Sequence, residues 1–130
     1  MTDQVCVVVG GGKGMGAAIA REMKKRNYRL SLMSPSDNCE NLADELNGIA
    51  YRGRAENSRD TDNLIKFTME KFGRIDSLLI HVGGPPKGDL LEISEDDWKK
   101  ANEMVLMPVI RLSKLITVSY THLTLPTKQP

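Results

Sequence analysis

The stretch Val5-Cys6-Val7-Val8-Val9-Gly10-Gly11-Gly12-Lys13-Gly14-Met15-Gly16-Ala17-Ala18-Ile19-Ala20 decides the fold. Five apolar, mostly β-branched residues without polar alternation suit a strand covered on both faces, as in a parallel sheet. A glycine-dense turn follows at once. Beyond it, Met15, Ile19 and Met23 recur at i, i+4 and i+8, which predicts a helix with those three on its inner face. Strand, glycine loop and helix in this order suit a nucleotide pyrophosphate. The glycines let the backbone approach, and the helix N-terminus offers unpaired N–H groups with partial positive charge. The spacing Gly10-x-x-x-Gly14-x-Gly16 is neither GxGxxG nor a P-loop, because Lys13-Gly14 reverses the Gly-Lys order a P-loop needs.

The same grammar continues outward. The first helix is expected to stop near Asn27, and Arg29 to Met33 reads as a second strand ended by Pro35. Asp37 and Glu40 suggest the cap of a helix that carries Leu42 and Leu46 and closes at Gly48. Ile49 to Arg52 is a short third strand. Leu64, Ile65, Phe67, Met69 and Phe72 follow helical spacing up to Gly73, and Ile75 to Val82 is a fourth, nearly continuous apolar strand ending at Gly83-Gly84-Pro85-Pro86. Ser94-Glu95-Asp96-Asp97 opens a long helix with Trp98, Ala101, Val105, Val109, Leu112 and Ile116 on one face, and Pro108 is expected to kink it. Alternating strands and helices with short connections require parallel pairing and right-handed crossovers. The expected fold is α/β: a Rossmann-type doubly wound parallel sheet of about four strands in the order 3-2-1-4. Its ligand crevice lies between the first and fourth strands.

Composition excludes several classes. With 130 residues the chain makes one domain. Eighteen basic against seventeen acidic residues, net charge +1, leave no field for nucleic acid or an anionic membrane surface. No apolar run approaches the ~20 residues of a membrane span, and because Met1 to Gln4 leads directly into the first strand no signal peptide is expected. Two cysteines make no disulfide framework, so a cytoplasmic location is expected. A metal site is not expected, since Cys6, Cys39 and His81 have no ligand spacing.

On these residues rests a resemblance. Val9-Gly10-Gly11-Gly12-Lys13-Gly14-Met15-Gly16 resembles the TGxxxGxG turn of the short-chain dehydrogenase/reductase family, with Val9 in place of threonine. Phe72-Gly73-Arg74-Ile75-Asp76 with Leu78 to Gly88 is similar to its FGxIDxLVNNAG segment, especially in 3-oxoacyl-reductase-like members that continue GGPPxG. Ile80, His81 and Val82 stand where that family has Asn, Asn and Ala. Ser94 to Ile116 resembles its long interface helix, with Val105 in place of the catalytic asparagine. The resemblance covers about residues 4 to 117.

It implies an NAD(P)-dependent oxidoreductase that transfers hydride between NADP(H) and a small-molecule carbonyl or alcohol, and a homo-oligomer in the complete protein. The cofactor contacts it implies are Gly10, Gly12, Lys13, Gly14, Met15, Gly16, Ser34, Glu56, Asn57, Val82 and Gly83, with Glu56 accepting from the adenine amino group. NADP is expected over NAD because Ser34, not a carboxylate, ends the second strand and Lys13 precedes Gly14. Asp37 is the counter-argument. The family's serine and Tyr-x-x-x-Lys are absent, since Tyr120 is followed four residues later by Thr124, so no catalytic residue is expected in this chain. Val118 to Lys128 match the translation of a transposase-type sequencing adapter, and 118–130 are expected to be a non-native tail, which leaves 1–117 as an incomplete Rossmann domain. The alternative reading is a non-catalytic nucleotide-binding or scaffold module. A methyltransferase would want an acidic residue where Ser34-Pro35 stand.

Overall fold

The structure, a computed structural model, describes residues 3–84 and 87–122, the last four by backbone alone. Its strands are β1 (Val5–Val9), β2 (Arg29–Ser34), β3 (Ile49–Arg52) and β4 (Ser77–Ile80). All ladders are parallel, in the order β3-β2-β1-β4, as the sequence predicts. Between the strands run helices α1 (Gly14–Lys25), α2 (Asn38–Leu46) and α3 (Ser58–Phe72). After β4 come α4 (Glu95–Ala101), a π-helical turn (Asn102–Leu106) and α5 (Met107–His122).

The unbroken apolar run of β1 follows from its central place. Cys6 and Val8 pack with Leu30, Leu32, Ala17, Ala20, Cys39 and Leu42 on the α1–α2 side. Val7 and Val9 pack with Met33, Leu64, Ile65 and Leu112 on the α3–α5 side. Each fully buried Val, Leu, Ile or Met side chain among them contributes roughly 1.5–3 kcal/mol.

Three local expectations around α1 and α2 are corrected. The inner face of α1 is Gly16, Ala17 and Ala20, whereas Met15 is 64% exposed and Met23 only borders the core. The helix starts too close to the glycine loop for a large side chain: a Cβ on Gly16 would stand 2.1 Å from the Gly10 carbonyl oxygen. At α2, Asp37 makes no capping bond. The Cys39 amide donates to the Ser34 hydroxyl at 3.0 Å and the Asn38 amide to the Ser36 hydroxyl at 3.3 Å. Asn47, at φ 58°, and not Gly48, takes the left-handed turn that ends the helix. Gly48 instead lies against β2, where a Cβ would meet the Leu30 carbonyl oxygen at 2.6 Å.

β4 is shorter than its apolar run and half-buried throughout, because β1 is its one strand neighbour among the described residues. The helix after Ser94 begins as expected, with the Asp97 amide donating to the Ser94 hydroxyl at 3.1 Å. It does not keep one face. Pro108 has no N–H for an upstream carbonyl, and the turn before it widens to i→i+5 bonding, the Met107 amide reaching the Asn102 carbonyl. The extra residue in that turn rotates the pattern. Trp98, Val105 and Val109 are 53%, 37% and 43% exposed, while Pro108 and Leu112 are buried. The backbone of α5 runs on to His122, past the expected boundary at residue 117. Met1-Thr2, Pro85-Pro86 and the rest of the expected tail, 123–130, lie outside the described residues.

Candidate functional site

At the C-terminal ends of the strands, where β2 and β4 leave β1 in opposite directions, a cleft of about 600 Å³ opens. This is the switch point of a doubly wound sheet, and its volume falls in the range of small-ligand sites. Five segments wall it: the glycine loop, the end of β2 with Ser34 to Ser36 and Asn38, the β3–α3 connection from Gly53 to Glu56, residues 81–83 after β4, and Met104 of the π-helical turn.

The loop is held by backbone contacts that leave no room for side chains. The amides of Gly10 and Gly11 both donate to the Met33 carbonyl, at 2.8 and 3.1 Å, which ties the loop to β2. Gly10, at φ 83°, presses against the strand end after β4, where the His81 amide donates to Val9 at 2.8 Å. On Gly12 a Cβ would lie 2.7 Å from that of Asn38 and 3.0 Å from the Ser34 hydroxyl. Gly14, at φ 60°, turns the chain into α1 facing open space. The N-terminus of α1 carries neither a side-chain cap nor an acidic residue in its first turn. Bare amides at a helix start beside a side-chain-free loop fit an anionic diphosphate.

Of the expected cofactor contacts, the structure brings Gly10, Gly12, Lys13, Gly14, Ser34, Glu56, Val82 and Gly83 to the cleft. Met15, Gly16 and Asn57 lie outside its lining. Met15 faces solvent, Gly16 packs under the loop, and the Asn57 side chain accepts from the Asp60 amide at 3.1 Å as the cap of α3. Asp37 is exposed and also outside the lining. Arg54, Asn38 and Met104 are among the lining residues outside the expected contacts. Arg54 follows Arg52 at strand spacing, a signal that was available. Asn38 and Met104 come from the close approach of α2 and from the π-helical turn, neither of which has a clear sequence signal.

The sequence matches the family of short chain dehydrogenases over residues 4–121. The chain belongs to that family. Among curated relatives, the chain is similar to the oxidoreductase UcpA of Escherichia coli K12, 35% identical over 102 residues, covering 75% of the chain and 39% of UcpA. It is also similar to the 3-oxoacyl-[acyl-carrier-protein] reductase of Synechocystis sp., 27% identical over 124 residues, covering 90% and 50%. It therefore spans about two-fifths to half of the length of such relatives. Its fold superposes on YwfH, an NADPH dependent reductase involved in bacilysin biosynthesis, with TM-score 0.87 at 17% identity, covering 93% of the chain and 51% of YwfH. An actinorhodin polyketide ketoreductase with NADPH gives TM-score 0.83 at 22% identity, covering 91% and 48%.

Among the described residues no group of three or more His, Cys, Asp or Glu side chains is placed to hold a metal ion, and no helix is long and apolar enough to cross a membrane. The cleft mixes charges. Lys13 and Arg54 are basic, Glu56 is acidic, and His81 stands exposed at the end of β4.

Proposed function

We propose that the chain binds a nicotinamide dinucleotide in this cleft as the cofactor half of an oxidoreductase acting on a small carbonyl or alcohol, with NADP(H) preferred over NAD(H). The observation that carries the reading is the glycine cradle. Three side chains are excluded by contacts under 3 Å, and the bare helix start of α1 faces the space so created. Gly10, Gly12, Gly14 and the amides opening α1 hold the diphosphate. Gly16 supports the loop from below, while Val82 and Gly83 wall the end towards β4. Glu56 sits at the end towards β3 and accepts from the adenine amino group. The bound nicotinamide supplies the hydride.

NADP(H) preference rests on the charges around the ribose. β2 ends in Ser34-Pro35, which offers no carboxylate to hold two ribose hydroxyls or to repel a phosphate, and Lys13 lines the cleft. In support, the two structural neighbours named above are described with NADPH.

The 130 residues contain no Tyr-x-x-x-Lys, so a proton donor for the carbonyl oxygen is not supplied by them. General acid–base help is worth roughly 10²–10⁴ in rate. The expected behaviour of this chain is cofactor binding without appreciable carbonyl reduction, in a cytoplasmic setting. Calorimetric titration with NADPH and NADH tests the reading. Binding of NADPH tighter than NADH, with loss of affinity in Lys13→Ala, is expected. Failure to bind either dinucleotide overturns it.

Two further points extend the reading. Trp98, Leu106, Val109 and Ile110 are exposed along α4, the π-helical turn and α5, which favours self-association through these helices. Sedimentation showing only monomer at tens of micromolar would contradict that. Val105, at the place of the family's catalytic asparagine, favours the second reading, a nucleotide-binding module without turnover. A longer natural sequence carrying serine and Tyr-x-x-x-Lys excludes it.

A further inference from the structure

We infer that Arg54, on the connection between β3 and α3, is the residue that recognises the ribose 2′-phosphate and so sets the cofactor preference. The inference rests on the proposed dinucleotide reading of the cleft.

Ser34 ends β2, where a ribose is gripped in a doubly wound sheet, but its hydroxyl is already engaged. It donates to the Ser36 carbonyl at 2.9 Å, accepts from the Cys39 amide at 3.0 Å, and is 5% exposed. A hydroxyl has one proton, so Ser34 has none left to offer a phosphate. Recognition passes to whichever cation stands beside it.

The backbone of β3 selects that cation. Ser34 is in register with Arg52, and the Gly53 amide donates to the Ser34 carbonyl at 2.9 Å, so the residues after β3 run alongside the end of β2. Arg52 turns towards α2, where its Nε bonds Glu40 Oε1 at 2.8 Å. Gly53 faces α3, since a Cβ there would lie 2.9 Å from the side chain of Asp60. Two residues beyond Arg52, Arg54 makes no ion pair with α2 among the described residues.

Arg54 lines the cleft with Ser34, Pro35 and Ser36, and its guanidinium has no carboxylate partner among the described residues. Its backbone is pinned, the Arg54 amide donating to Asp60 Oδ2 at 2.9 Å. A planar fork on a fixed backbone suits a phosphate dianion, which it meets with two parallel hydrogen bonds. Glu56 lines the same cleft and is not ion-paired with Arg54. Lys13, in the glycine loop, lines the same cleft and is the competing cation for this phosphate.

Adenosine 2′,5′-bisphosphate and adenosine 5′-monophosphate isolate the 2′-phosphate from the nicotinamide. Calorimetric titration of the unaltered chain is expected to show the bisphosphate binding about 10- to 100-fold more tightly, as one charge-assisted bidentate contact supplies. In Arg54→Gln the two affinities should fall within about threefold of each other, with the monophosphate unchanged, and Arg54→Lys should keep part of the preference. A preference that survives in Arg54→Gln, or that Lys13→Gln alone abolishes, overturns the assignment. Equal affinities in the unaltered chain overturn it too, while leaving the nucleotide reading intact. Binding of neither probe overturns both.

Discussion

The Cα of Gly10 faces the carbonyl oxygen of His81 so closely that a Cβ built on it would stand 1.8 Å from that oxygen. Gly10 also holds φ 83°, a region that costs any L side chain energy. Gly10→Ala is therefore expected to destabilise the fold by about 2–4 kcal/mol through strain and forced separation of β1 from the end of β4. Gly14→Ala, at φ 60° but facing open space, should cost only about 1–2 kcal/mol. Urea unfolding of the two variants side by side checks this. Equal losses would show that the His81 contact is not what requires glycine.

Ser31 and Thr68 meet as a buried pair between β2 and α3, 2.6 Å apart and both inaccessible. The Thr68 hydroxyl donates to the Leu64 carbonyl at 2.8 Å, so the proton between the two belongs to Ser31. Removing either partner has different consequences. Thr68→Val strands a buried donor on Ser31, at a cost of about 1–3 kcal/mol, while Ser31→Ala leaves Thr68 still donating and should cost less. The double variant should lose less than the sum of the two single losses. Additive losses in thermal melts would deny the coupling.

Asp76 ties the start of β4 to β1. Its carboxylate accepts from the Val5 amide at 2.8 Å and from Arg74 Nε at 2.9 Å. Burial works against its ionised form, yet the Arg74 guanidinium, the Val5 amide and the charge of Arg29 together outweigh burial and hold its pKa below the ordinary 3.8. A depressed folded pKa stabilises the fold above the unfolded value and loses that contribution as pH falls through the folded one. Stability should therefore decline as pH drops below about 4, and Asp76→Asn should flatten that decline while lowering stability at neutral pH. Denaturation midpoints between pH 7 and pH 2 measure both effects. An unchanged acid limb in the variant would refute the assignment.

Ser34→Ala removes the oxygen that receives the Cys39 amide in the first turn of α2. The expected loss is about 1 kcal/mol of stability, the usual worth of a capping hydroxyl, with the ratio of NADPH to NADH affinity unaltered. A large change in that ratio would return cofactor discrimination to Ser34.

Sequence alone determined the layout of this protein. An unbroken apolar run in Val5 to Val9 is stable only where both faces of a strand are covered, which makes β1 central and parallel. Once β1 is central, the short connections and their handedness leave the order β3-β2-β1-β4 and put the ligand crevice at its switch point. Gly73 and Ser94 ended and began their helices as read, because left-handed turns and side-chain caps are decided within four or five residues.

Tertiary structure decided which side chains face what. Met15 satisfies the helical period yet lies outside, because α1 comes within contact of the Gly10 carbonyl and admits only Gly16, Ala17 and Ala20 beneath it. The face of the last helices was read with one fixed period, and the widened turn at Asn102–Leu106 rotated it and carried Met104 into the cleft. Ser34 and Arg54 show the same limit at the site. Their roles depend on the Cys39 amide, which engages the Ser34 hydroxyl, and on Glu40, which takes Arg52 and not Arg54. Both follow from how α2 packs on β2 and β3. Local periodicity specifies elements and their order, whereas the choice among neighbouring polar groups belongs to distances that exist only after the helices dock.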